Sequence, residues 1–464
     1  MTATPSTRST QDLNPGPDPS DDTRHFDVVV VGAGLAGLTS ALVAARAGAS
    51  VGLVEAREEA GGRARSDTHD GYIVNQGPHA LYRAGAAWSV LRELGVVPAG
   101  RLPRQGGVAL WSSGERISLT RAFKLGGFDA LRAVKRVMRP GRRRRSHAQG
   151  ATMSQWLDRN VSVRGRSTAE AVIRTSCYMS ELDQVDASAV LDQVARSARG
   201  VVYLHGGWES LVRQLEAQAE SAGVVTINGR IESIERRGSF TMLSTRSGES
   251  IRAGSVVLAV GGPGHVDRLL GGRSEVVRSW AEAAHPITAA CLDVAVAPSP
   301  GRHPVATYGL GEPVYVVDHG ATAKVAPAGG SVYHALFYEP DARPEADHRA
   351  VLEAILDRQR PDWRVHAVQV TYRKRIVVAH DRPRPSLNGS DQGRVEIGDQ
   401  PGVFVVGDWI HSFGLLADAA VGSGAEAGRL AALHAARGGD PTGREAEAAP
   451  DGSTPTRIAE LVGE

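Results

Sequence analysis

Residues 26–65 read FDVVVVGAGLAGLTSALVAARAGASVGLVEAREEAGGRAR. The apolar run 26–31 has the composition of a buried strand. It leads straight into Gly32-Ala33-Gly34-Leu35-Ala36-Gly37, a full G-x-G-x-x-G. Leu35, Leu38, Leu42 and Ala45 then recur at three- and four-residue steps, the spacing of a helix, and Gly48 ends it. A second strand, 50–54, closes on Glu55. Gly32 permits the tight turn, Gly34 lets a pyrophosphate approach the backbone, and Gly37 lets the helix pack close to the strand. The helix N-terminus offers N–H groups and the positive end of a dipole to phosphates. Glu55 can accept hydrogen bonds from ribose hydroxyls. This strand–turn–helix–strand context predicts dinucleotide binding.

Two further segments decide which dinucleotide. Glu55-Ala56-Arg57 continues to Gly61-Gly62-Arg63 and then to Gly77-Pro78-His79-Ala80. Near the other end, an apolar strand 403–406 runs into Gly407-Asp408-Trp409, followed by the small-residue segment 414–424. On these residues the chain resembles the superfamily of FAD-containing amine oxidases, protoporphyrinogen oxidases and phytoene desaturases. The resemblance spans about 26–437 and implies non-covalent FAD. It places Gly61, Gly62 and Arg63 along the pyrophosphate and flavin, and Gly407-Asp408 at the ribityl–phosphate region. It also places the Ala417 N–H near flavin O2. Electrostatics agrees, because reduced flavin is negative around N1 and O2 and a helix N-terminus stabilises an anion. Gly206-Gly207-Trp208 resembles the family's return toward the FAD domain. The stretch 227–235 resembles the strand that meets adenine, with Ile231 as the contact.

The expected fold class is α/β: a discontinuous, Rossmann-like FAD-binding domain with an inserted α+β substrate domain. The FAD domain is assembled from 25–108, 200–265 and 395–437, and the substrate domain from 109–199 and 266–394. The first inserted piece reads as helical, with amphipathic segments at 153–157 and 169–173. The second reads as strands 289–296, 314–317, 332–337 and 365–372, with a helix over 343–358. The flavin is expected at the domain interface, where ligand sites concentrate. Residues 1–24 and 438–464 read as flexible tails, apart from a short helical turn at 457–462.

A chain of 464 residues can hold two sizeable cores, and its net charge of +2 gives no global argument for nucleic acid. No apolar run is long enough to span a bilayer. Cys177 and Cys291 alone make no disulfide framework, and the histidines lack metal-ligand spacing, so no metal is expected. The cytoplasm is the expected location. In 121–145, Arg121, Lys124, Arg132, Lys135, Arg136, Arg139 and Arg142 to Arg145 face a single acid, Asp129. Phe123, Phe128, Leu131, Val134 and Val137 interleave with them. Such a basic amphipathic helix can lie on an anionic membrane surface; the plainer alternative is a solvated basic face. Without an aromatic stacking platform, the segment does not suit nucleic acid.

The resemblance implies removal of a hydride from a substrate C–H or C–N–H to flavin N5. Residues 261–264 fail the G-x-G-x-x-G pattern, so reoxidation by O2 or a quinone is expected. Amine oxidases of the superfamily commonly carry a lysine near N5. The aligned Ala289-Ala290-Cys291 has none, although Lys324 or Lys374 could supply it. This favours a phytoene desaturase-like dehydrogenation of an apolar substrate. A flavin amine oxidase and a redox-neutral flavin-dependent isomerase are the alternatives. His79, following Gly77-Pro78, is the candidate proton acceptor, since an unperturbed imidazole has a pKa of about 6.5. Tyr82, Tyr338 and Trp409 are the expected pocket residues.

Overall fold

A computed structural model describes residues 23–103, 108–112, 115–117, 119–385 and 393–438. Most of both tails, including the turn expected at 457–462, lies outside the described residues.

The first sheet has seven described strands. Arg24–Val31 lies in its interior, and Val28 to Val30 are fully buried, which is why this strand reads as continuously apolar. It pairs in parallel with Val51–Glu55 on one side and with Ser250–Leu258 on the other. Val225–Asn228 extends the first side in parallel, and Val403–Val405 pairs in parallel with the end of Ser250–Leu258. Phe240–Thr245 and Ile231–Arg237 complete the sheet as antiparallel strands. The expected strand over 227–235 is therefore two strands. Gly229 N–H donates to the Glu55 carbonyl (2.8 Å), and the chain then passes from one edge strand of the sheet to the other.

Two helices cover one face of this sheet in backbone contact. A Cβ on Gly424 would lie 2.5 Å from the Ala36 carbonyl oxygen, and one on Gly428 would lie 2.4 Å from that of Ser40. The small residues of Ala417–Ala436 thus let it pack directly on Leu35–Arg46.

The second sheet runs in the order Ala367–Ala379, Ile287–Val296, Ser331–Tyr338, Val314–Asp318, Ala306–Gly309, Val108–Ser112 and Glu115–Ile117. It is antiparallel except between Ala306–Gly309 and Val108–Ser112. Helix His348–Gln359 packs Leu352, Ile355 and Leu356 against one face. The helix expected at 343 begins at His348, because the Asp347 side chain caps it by accepting from Ala350 N–H. The strand expected at 365–372 is Ala367–Ala379, preceded by the helical turn Trp363–His366. The other face carries Ala289, Cys291, Leu336 and Tyr338, which pack with Tyr72, Val74 and Ala80.

The helical segment before residue 200 includes Leu119–Met138, bent at Gly127 (φ 51°), then Arg142–Ser146, Met153–Asn160, Val163–Cys177 and Ala187–Ser197. A reciprocal pair of hydrogen bonds between Thr152 and Gln155 starts Met153–Asn160. Among the described residues no helix is long and apolar enough to cross a membrane.

Candidate active site

The glycine loop forms as its spacing predicts. Gly32 has φ +100°, and its N–H donates to the Val54 carbonyl (2.7 Å). A Cβ on Gly34 would meet nothing within 4 Å, so the loop is open on that side. Helix Leu35–Arg46 begins there with no side chain capping its first turn, so the N–H groups around Leu35, Ala36 and Gly37 face the same opening. The Glu55 carboxylate binds backbone at both oxygens, accepting from Ala33 N–H (2.7 Å) and Arg57 N–H (2.9 Å). It braces the loop and, with two bonds made, still has lone pairs for hydroxyl donors. Ala56 links these two contacts.

Gly61 N–H donates to the Ala33 carbonyl (2.7 Å), which draws the second glycine pair against the first. Gly61 and Gly62 both take positive φ, and a Cβ on Gly62 would sit 3.6 Å from Gly34 Cα. Arg63 reaches Asp408, 345 residues away in sequence, at 2.6 Å, and the Val378 carbonyl at 2.7 Å. The other Asp408 oxygen meets His380 Nδ1 at 2.9 Å. Gly407 N–H donates to Ser423 Oγ (3.1 Å), which ties the strand end to helix Ala417–Ala436. Ala417 opens that helix without a side-chain cap, after Leu416 at φ +58°. The open face of Gly34, the uncapped helix start and the flanking Gly61–Gly62 pair together fit an anionic pyrophosphate.

Asp418 does not cap its own helix. Its carboxyl accepts from Ala87 N–H (3.0 Å), and its second oxygen is buried without a hydrogen-bond partner. Burial raises its pKa to about 6, against the Ala87 hydrogen bond and Arg196. A folded-state pKa above the unfolded value favours folding below pH 4, and this contribution is lost as pH rises through about 6. Asp418→Asn keeps an acceptor for Ala87 and removes the charge. It should raise stability at pH 8 by up to about 3 kcal/mol and at pH 5 by only about half as much. Thermal melts at the two pH values check this; equal shifts at both would show an ordinary carboxylate.

Segment 77–80 lies against the second sheet, where a Cβ on Gly77 would be 3.2 Å from Cys291 Sγ. His79 Nδ1–H donates to the Gly77 carbonyl (2.9 Å), which leaves Nε2 as an acceptor. Protein surrounds the ring, yet part of it stays open, and Trp208 stands 5.1 Å away. Burial lowers the His79 pKa to about 4, despite the Gly77 hydrogen bond, so the imidazole is neutral at pH 7. Tyr178 donates to the Pro78 carbonyl (2.8 Å) and lies 6.1 Å from the Tyr338 ring. Tyr82 is buried and donates to the Ser176 carbonyl (2.8 Å).

Trp409 stands apart from this group. Its indole N–H donates to the Gly261 carbonyl (2.7 Å) and its ring packs 5.9 Å from Trp280, within the core of the first sheet. Ile231 is buried in that same core, at the start of an antiparallel strand. Lys324 and Lys374 are both exposed, and Lys374 sits where Ala367–Ala379 bulges opposite Ala289 and Cys291.

The sequence reading missed a buried polar chain on the same face of the second sheet. His334 Nδ1 and Asp293 meet at 2.7 Å, with neither side chain exposed. Arg373 pairs with the second Asp293 oxygen and with half-exposed Asp67 at 3.1 Å. The His319 ring packs 4.6 Å from that of His334, and Tyr203 lies 4.2 Å beyond. Nε2 of both histidines is buried without a hydrogen-bond partner. Both His334 and Asp293 act electrostatically on His79.

A sheet of this topology, with a glycine loop and an uncapped helix aimed at one opening, suits a phosphate-bearing cofactor. The model of the flavin containing amine oxidoreductase family matches residues 35–266, half of the chain. The protein belongs to that family and is a flavin-dependent oxidoreductase. It is 38% identical over 113 residues to a coproporphyrinogen III oxidase from Propionibacterium freudenreichii subsp. freudenreichii, covering 24% of this chain and 19% of that protein. It is 54% identical over 56 residues to an L-amino-acid oxidase from Pseudechis australis, covering 12% and 11%. The matches therefore span about a fifth or less of these relatives' lengths. A solved putrescine oxidase variant aligns over 89% of this chain and all of its own (100%), with a TM-score of 0.67 and 18% identity, which shows a shared fold.

Proposed function

We propose that the protein binds FAD non-covalently and dehydrogenates an apolar organic substrate in a phytoene desaturase-like reaction, with O2 or a quinone as electron acceptor. Its setting is cytoplasmic. One observation carries the substrate class. Ala80 joins an apolar and aromatic cluster on the second sheet that includes Ala289, Cys291, Ile376, Val378, Tyr178 and Tyr338. Neither Lys324 nor Lys374 is buried among them.

The segments 25–108, 200–265 and 395–437 form the FAD domain in this reading, and 109–199 and 266–394 the substrate domain. Gly32, Gly34 and the first-turn N–H groups of Leu35, Ala36 and Gly37 hold the pyrophosphate. Glu55 takes the ribose, with Ala56 and Arg57 beside it, and Ile231 meets the adenine. Gly61, Gly62, Arg63, Gly407 and Asp408 line the remaining phosphate and ribityl path. Gly77, Pro78, His79 and Ala80 pass the ring, and the Ala417 N–H supports its anionic edge. When bound, FAD supplies the hydride acceptor at N5. His79 Nε2 takes the proton lost from the neighbouring substrate atom. Tyr82, Tyr178 and Tyr338 keep water from the site. Trp409 supports the FAD domain from behind.

One observation favours amine oxidation as a second reading. A polar cavity of about 240 Å³, lined by Arg174, Glu181, Glu339, Arg343 and Tyr338 among others, adjoins the aromatic group. A charged substrate suits it better than a polyene.

Anaerobic flavin absorbance separates these readings. Bleaching by a polyene-containing lipid extract, and not by a panel of polar amines, is the expected result; the reverse pattern would establish the amine oxidase. No bleaching by either, with turnover only after chemical prereduction, would point to the isomerase. His79→Ala should slow bleaching about 100-fold or more with FAD retained. An unchanged rate would remove His79 from the chemistry.

A further inference from the structure

The structure changes the meaning of the basic segment. The sequence interleaves Phe128, Leu131, Val134 and Val137 with the cations without dividing them between faces. In the fold, Ala133 and Val137 point into the protein, while Phe128 is 73% and Leu131 55% exposed. Residues 128, 131, 132, 135 and 139 share one side of helix Leu119–Met138, and Arg132, Lys135 and Arg139 are exposed there with the two apolar side chains. Arg142 and Arg143 follow, also exposed, on the turn Arg142–Ser146. From 128 to 145 the chain carries eight cations and one acid, Asp129. Arg145 is paired with Asp192, and Arg136 donates to the Asn160 carbonyl. Gly165 packs against Asp129 and Ala133, which brings Val163, 93% exposed, and exposed Arg164 to the flank of this face.

We propose that this face is a docking surface for an anionic phospholipid bilayer. A solvated basic helix gains nothing from presenting a phenylalanine and a leucine to water one turn apart. A polyanion such as duplex nucleic acid satisfies the arginines through phosphates and has no use for the apolar pair. A bilayer surface answers both: negative headgroups meet Arg132, Lys135, Arg139, Arg142 and Arg143, and the headgroup–acyl boundary receives Phe128 and Leu131. The surface stands independently of which substrate the enzyme oxidises.

Co-sedimentation of the FAD-loaded protein with vesicles tests it. Binding is expected to phosphatidylcholine vesicles containing phosphatidylglycerol, not to phosphatidylcholine alone, and should weaken as salt rises. Phe128→Ser with Leu131→Ser should weaken binding about tenfold or more, with flavin content and melting temperature unchanged. Arg142→Gln with Arg143→Gln should weaken it by about fivefold per arginine. Absence of binding to the anionic vesicles would overturn the proposal. So would equal binding by wild type and the Phe128/Leu131 variant. Duplex DNA binding that matches vesicle binding and ignores Phe128 and Leu131 would replace it with a simple polyanion site.

Discussion

Gly34→Val is expected to give a folded protein that carries no flavin. A side chain at this position meets no protein atom within 4 Å, and the backbone (φ −75°, ψ 179°) is ordinary extended chain that valine adopts freely. The cost to folding is that of replacing a glycine helix cap, about 1 kcal/mol or less. The cost to binding is much larger, because the new methyls fill the space through which a pyrophosphate reaches the first-turn N–H groups. Affinity for FAD should fall at least about 100-fold. Gly37→Val is the contrasting control. There a Cβ would lie 1.8 Å from the Gly32 carbonyl oxygen, so the loop itself must break and the protein should misfold. Visible flavin absorbance relative to protein, with a circular dichroism melt, separates the two outcomes. Full flavin content in a natively folded Gly34→Val protein would refute the cradle.

Asp408→Ala should destabilise a protein that still folds and should lower its flavin content. Its carboxylate is buried, pairs with Arg63, and accepts from His380 through both the ring and, at 3.3 Å, the backbone N–H. Breaking a buried pair costs about 3–5 kcal/mol, and the 43% exposure of Arg63, which can rehydrate, sets the expectation near about 3. The loss also frees Arg63 from the flavin side of the loop, so FAD content should fall with it. Burial alone would raise the Asp408 carboxyl pKa; Arg63, then His380, outweigh it and hold the group well below the usual carboxylate range. A depressed pKa gives stability that is present above about pH 4 and is lost only as pH falls through the folded value. The melting-temperature loss should therefore be the same at pH 5 and pH 8, unlike the effect of Asp418→Asn. A loss that shrinks between pH 8 and pH 5 would contradict the assigned ionisation.

Much of the cofactor side was legible because its signals are local. Glycine spacing fixed the turn at 32–37, three- to four-residue periodicity fixed the first helix, and continuous apolar runs marked strands buried on both faces. The run of small residues after Ala417 likewise announced close helix packing. Signals that depend on pairing across the chain were not legible. Asp293 sits inside an apolar strand, and its partner His334 lies 41 residues on in another. Only the antiparallel register brings them opposite each other. Trp409 was assigned to the pocket because it follows Gly407-Asp408. The turn at Gly407 instead sends the indole toward Gly261, a direction that residue order does not encode. Two residues, Gly229 and Arg230, separate strands at opposite edges of the sheet within what reads as one run. Phe128 and Val137 both interleave with the cations, but helical geometry puts them on opposite sides, and packing against helix Val163–Cys177 takes Val137 and Ala133 inward.

The first sheet takes its strands from both ends of the chain: Val403–Val405 completes it beside Ser250–Leu258, and helix Ala417–Ala436 covers the helix that begins at Leu35. During synthesis, therefore, the glycine loop emerges long before Asp408, Ser423 and its covering helix, which lie about 370 residues further along the chain. Contacts this distant in sequence form late and slowly. A messenger truncated before codon 403 would yield a chain with an intact nucleotide motif and an exposed, sticky helix face, a substrate for quality control and not a partial enzyme.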